Sequence, residues 1–74
     1  MKITYITQGK QSVLIIRSGL LHLFKHARVA EAAINAAPGA SVATSGVFWL
    51  RTVITGDTDD IYRARAAARE EEMR

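Results

Sequence analysis

Val47-Phe48-Trp49-Leu50-Arg51-Thr52-Val53-Ile54 is the longest stretch of the chain that reads as strand. It combines the single Trp with one of the two Phe and a run of β-branched residues, between Gly46 and Gly56. β-Branched and aromatic residues fit a pleated surface, and glycines mark the turns that bound it. Alternate side chains point to opposite faces. Phe48, Leu50, Thr52 and Ile54 therefore share one face, and Val47, Trp49, Arg51 and Val53 the other. Both faces are largely apolar, which predicts a central strand rather than an edge.

Upstream, Ile3–Thr7 and Ser12–Arg17 are rich in Ile, Val, Thr and Tyr and flank Gln8-Gly9-Lys10-Gln11. Gly9 at the first central position suits a two-residue type II′ turn. That turn sets the register, opposing Thr7 to Ser12, Tyr5 to Leu14, Ile3 to Ile16 and Lys2 to Arg17. Opposed residues lie on one face. Ile3, Tyr5, Leu14 and Ile16 form a clean apolar face that should meet the core. Lys2, Thr4, Ile6, Val13, Ile15 and Arg17 form the other.

Ser18 is the expected N-cap of a helix over residues 20–37. Its predicted buried stripe is Leu20, Leu23, Phe24, Ala27, Ala30, Ile34 and Ala37, at three-and-four spacing. His22, Lys25, His26, Arg28, Glu31 and Asn35 are placed mostly off that stripe, and Pro38-Gly39 ends the helix. Ala40–Thr44 is either a short strand or a loop. As a strand joined by a two-residue turn at Ser45-Gly46, it sets Val42 beside Trp49 and Ala43 beside Phe48. Gly56 to Asp60 open a second helix that runs to about Met73. Asp57 or Thr58 caps it, Asp59 pairs with Arg63, and Ile61, Ala64 and Ala68 face inward. Glu70-Glu71-Glu72 opposes the helix dipole and should fray the last turn.

The predicted fold is α+β in two layers: an antiparallel sheet, ββαββα or ββαβα, with two helices on one face. Seventy-four residues are read as a single domain, 1–74, that buries only about 60% of its unfolded surface. A hydrophobic share of 49% is that of a globular chain rather than a disordered one. The absence of Cys removes disulfides, thiolate metal sites and a Cys nucleophile. No apolar run approaches the length of a membrane span, and Met1-Lys2-Ile3-Thr4 lacks the features of a signal peptide, so no membrane partner and a cytoplasmic location are expected.

No chemistry-bearing constellation emerges. His22 and His26 have metal-ligand spacing but no third ligand. Asp57, Asp59 and Asp60 suit a helix start better than a cation loop. Neither His has a carboxylate orienter, and the five glycines are isolated. A non-enzymatic protein without a cofactor is expected.

The net charge is +3, and residues 1–51 carry six Lys or Arg against Glu31 alone. The sheet face away from the helices gathers Lys2, Arg17, Trp49 and Arg51 among aliphatic residues. Such a face is too apolar for a plain solvated surface, and Trp with Arg is the composition of protein hot spots. These four residues are the candidate binding site. A protein complex is the leading partner, a nucleic acid held by a small basic domain the alternative, and a homodimer covering the face a third reading.

In length, lack of Cys and hairpin–helix–strand–helix layout, the chain resembles the small single-domain proteins of bacteriophages and mobile elements, anti-CRISPR proteins among them. No residue motif carries that resemblance, and it transfers no functional residue. It implies a phage-type inhibitor that covers a surface of a larger complex. The positive charge departs from the acidic members that mimic nucleic acid.

Overall fold

A computed structural model describes residues 1–74. Four strands form one sheet: β1 (Lys2–Gln8), β2 (Gln11–Gly19), β3 (Ser41–Ser45) and β4 (Trp49–Asp57). A 3₁₀ turn over Leu20–His22 leads into α1 (Leu23–Ala36), and α2 (Thr58–Glu72) follows β4. The spatial order is β1-β2-β4-β3, and every neighbouring pair is antiparallel. This is the α+β, ββαββα arrangement, with β4 inside the sheet. The shortest dimension, 17 Å, leaves room for one sheet and one helix layer, about 10 Å apart.

The first hairpin follows from its turn. Gly9 has φ +64° while Lys10 stays at negative φ, the pattern of a type II′ turn. The register is Lys2–Arg17, Ile3–Ile16, Tyr5–Leu14 and Thr7–Ser12, as the sequence requires. Leu14 and Ile16 are buried, with Ile3 and Tyr5 packed against them. From β4, Thr52 and Ile54 are buried on that same side. Ile61, Ala64 and Ala68 of α2 complete the core, as their spacing predicts.

The first helix departs from expectation. Its buried residues are His26, Val29, Ala30 and Ala33, with Ala37 just beyond its end. Leu20, Leu23, Phe24 and Ala27 are exposed. The helical angle between His26 and Phe24 explains the error: two residues span roughly 200°, so Phe24 faces solvent when His26 faces the sheet. Leu20 is not in the helix proper, and Ser18 is not a cap. Ser18 lies within β2, and Gly19 precedes the 3₁₀ turn without a side-chain cap.

Residues 41–45 are a strand, but in a different register from the expected one. Val42 pairs with Ile54, Ala43 with Val53 and Ser45 with Arg51. A longer connection over residues 46–48 replaces the two-residue turn, so Val47 and Phe48 precede β4 instead of opening it. Gly46 makes this connection: its φ is +110°, and a Cβ there would overlap the Trp49 carbonyl oxygen. Gly46→Ala is therefore expected to cost more than about 1 kcal/mol and to displace Phe48 and Trp49. Urea denaturation, with Trp49 fluorescence as the probe, checks both effects.

At α2, Asp57 makes no capping bond of its own. Its carboxylate instead accepts a hydrogen bond from Gln11 Nε2 at 3.0 Å. Thr58 Oγ1 donates to the Gly9 carbonyl at 2.8 Å, which leaves it to accept from the Ser12 hydroxyl, also at 2.8 Å. The β1–β2 turn is thus fastened to the start of α2. Arg63 pairs with Asp60, one helical turn back, in place of Asp59. Helix α2 persists through Glu72, where Arg74 reaches back to Glu71 at 3.6 Å. No helix is long and apolar enough to cross a membrane.

Candidate functional site

The two ends of the sheet differ. At the β1–β2 turn, polar side chains cross-link strand and helix, as described. The opposite end brings together the chain positions that the sequence marks as a binding surface. Pairing of β1 with β2 sets Lys2 against Arg17, and pairing of β2 with β4 sets Arg17 against Arg51. One step beyond, Trp49 pairs with Gly19, and its indole edge lies beside that glycine. All four candidate residues line one open groove of about 580 Å³, together with Met1, Leu50 and Ser45.

Trp49 is 78% exposed and Phe48 74% exposed. Phe48 was expected in the core, yet it joins Leu20, Leu21 and Trp49 around a second concavity at this end. A hydrogen bond from the Leu20 amide to the Phe48 carbonyl, 2.9 Å, ties the two loops together. Leu21, 98% exposed, and Val47 extend the apolar surface. Phe24, on the outward side of α1, is 82% exposed. The sequence pattern assigned Leu20, Phe24 and Phe48 to the core because large apolar side chains are usually buried. For Leu20 and Phe48, placement just outside regular elements, close to Gly19 and Gly46, was the available contrary signal; Phe24 lies within α1 and offered none.

Beneath this end lies a polar chain that was not anticipated, since His26 reads as an incidental member of a solvated helix face. His26 is buried. Its Nδ1 lies 2.7 Å from Ser18 Oγ, and its Nε2 lies 2.8 Å from Thr52 Oγ1. Thr52 Oγ1 in turn lies 3.2 Å from Thr44 Oγ1. A neutral imidazole donates through one nitrogen and accepts through the other, and a hydroxyl can do either. No buried polar side-chain atom is left without a partner. The chain fastens α1 to three strands at the level of the groove. A Ser–His contact of this length also occurs in nucleophilic sites, but here the hydroxyl is buried and the second ring nitrogen meets Thr52, not a carboxylate. No three His, Asp or Glu side chains converge as metal ligands.

Burial holds the His26 pKa below the ordinary histidine value of 6.5, because the charged ring loses hydration that two hydroxyl dipoles only partly replace. The unfolded chain then takes up this proton at a higher pH than the folded one. Stability is accordingly full above about pH 6.5 and falls as pH drops through that value toward the lower folded pKa. The slope should not exceed about 1.4 kcal/mol per pH unit. Urea unfolding between about pH 8 and pH 5 tests this, the lower limit being set to keep carboxylate titration out. A gain in stability on acidification would contradict it.

Comparison of the chain with models of protein families, with curated proteins and with solved structures gives no match.

Proposed function

We propose that this chain is a non-enzymatic protein-binding module that covers a surface of a larger complex, as the likeness to small phage inhibitors implies, and that Trp49, Arg51, Arg17 and Lys2 lie at the contact. The observation that carries this reading is the apolar end formed by Leu20, Leu21, Phe48 and Trp49, directly beside the cationic groove. Contiguous exposed apolar surface is unfavourable in water and marks interaction sites. Trp and Arg together supply the flat, amphipathic anchors on which binding energy concentrates. A second copy of the chain is a poor occupant for a two-fold contact centred on this groove, since Lys2, Arg17 and Arg51 would meet themselves.

Capture on immobilised protein from an extract of the source cell, with and without nuclease, tests the proposal. A protein retained after nuclease and lost on a Trp49→Ala resin is the expected result. Loss of the captured material on nuclease treatment alone would show nucleic-acid binding instead.

A further inference from the structure

The open face of the sheet ends in three like charges at mutually paired positions. Lys2, Arg17 and Arg51 occupy consecutive strands, so their Cα atoms span roughly 10 Å. None of them is in a salt bridge. The only carboxylate on this face is Asp57, in the row formed with Gln8 and Gln11. Six residues separate the two rows, roughly 20 Å along the strands, and Asp57 is already engaged by Gln11. Like charges directly opposed across strands are destabilising. The fold thus carries an uncompensated cationic row at the rim of the groove that Trp49 and Leu50 line with apolar surface.

Resting on the protein-binding reading above, we infer that the partner presents an acidic segment with apolar flanks. Its carboxylates lie on the Lys2–Arg17–Arg51 row, and an apolar side chain packs against Trp49. Arginine offers a planar fork of donors that matches a carboxylate in two parallel hydrogen bonds. The remaining basic residues do not extend the row into a phosphate track. Lys10 sits in the β1–β2 turn at the far end of the sheet, Lys25 and Arg28 belong to α1, and Arg63, Arg65 and Arg69 belong to α2 in the same helix layer, with Arg74 just beyond its end. Next to Trp49, around the adjoining concavity, lie Leu20 and Leu21, aliphatic surface that suits a polypeptide better than stacked bases.

The test uses the intact chain, labelled with ¹⁵N, and three probes: a blocked peptide of alternating Glu and Leu, the same peptide with Gln for Glu, and a short oligothymidylate. The Glu peptide should shift the amides of Arg17 and Arg51 and the indole N–H of Trp49, saturably and below about 1 mM. The Gln peptide should bind roughly tenfold or more weakly. In the double variant Arg17→Gln, Arg51→Gln, affinity for the Glu peptide should fall by at least roughly tenfold. The same variant should melt roughly 1–5 °C higher, because the like-charge opposition is relieved. A merely structural role for the arginines predicts the opposite shift in melting. Equal binding of the Gln peptide, tighter binding of the oligothymidylate, or no shift at the row up to about 5 mM Glu peptide each overturns the inference. So do shifts at the row that depend on protein concentration alone, which would assign it to the Glu70-Glu71-Glu72 segment of another copy. If the captured partner is kept by the double arginine variant but lost by Trp49→Ala, the acidic-segment inference fails and the protein-binding reading stands. If Trp49→Ala keeps it, the latter reading falls.

Discussion

His26→Ala should remove a large share of the chain's stability. The substitution strands the Ser18 hydroxyl and deprives Thr52 of its shorter hydrogen bond, both in buried positions. A buried hydroxyl without a partner costs about 1–3 kcal/mol, and the space left by the ring adds a cavity term. A loss of about 3–5 kcal/mol is expected. A domain of this size has roughly 4–11 kcal/mol in total, so the loss runs from about a quarter of the stability to nearly all of it. A hydrogen-bonded network has a second consequence. Removing all the polar partners together, as Ser18→Ala, His26→Leu and Thr52→Val, should recover much of the loss, because no donor or acceptor is then left stranded. Urea denaturation of the two variants checks this. A triple variant less stable than His26→Ala would show that shape, not hydrogen bonding, is what the site supplies.

Leu14→Ala and Phe24→Ala form the second contrast. Leu14 is fully buried between the helices and the sheet, so its truncation should cost about 2–5 kcal/mol. Phe24, the larger side chain, projects into solvent from α1, and its truncation should change stability by no more than about 0.5 kcal/mol. Thermal melts of both variants separate the two helix orientations directly. If Phe24→Ala were the more damaging, α1 would have to turn its Leu23–Phe24 side inward, and His26 would lose its contacts with β2 and β4.

Where local chemistry decides the structure, the sequence is readable. Gly9 between two β-branched runs dictates the turn, the turn dictates the register, and the register brings Lys2 opposite Arg17. In α2, Ile61, Ala64 and Ala68 are almost the only apolar residues at helical spacing, so the buried stripe has little competition. Alternation along β4 likewise separates Thr52 and Ile54 from Trp49 and Arg51. Helix α1 offers two stripes, and size favours the wrong one. Leu20, Leu23 and Phe24 outweigh His26, Val29 and Ala33 in hydrophobicity, although Ala30 and Ala37 of the expected stripe are buried. The sheet nevertheless takes up the smaller residues, and the polar chain through His26 fixes the rotation. That chain depends on hydroxyls from β2, β3 and β4, residues 8 to 26 positions apart in sequence, which no local pattern reveals. The β3–β4 register escaped for a related reason: Gly46 allows a backbone path that a two-residue turn would not need.

The same displacement bears on the candidate site. Lys2, Arg17, Trp49 and Arg51 were legible from alternation alone, and the structure places them on one groove. Leu20 and Phe48 were not, because the expected helix and strand included them and large apolar residues are assigned inward by default, while Leu21 was given no face. Their exposure turns a charged sheet face with one aromatic into an amphipathic end of the molecule.

The most direct test of protein binding through that end is calorimetric titration of the purified partner with the parent chain, Trp49→Ala and Phe48→Ala, each variant first shown by circular dichroism to be folded. Both side chains are exposed, so both variants should retain the parent fold. Trp49→Ala should weaken binding by roughly 30-fold or more, the scale of a hot-spot anchor, and Phe48→Ala by a smaller but measurable factor. Parent-like affinity in both variants would place the contact elsewhere on the molecule and contradict the account.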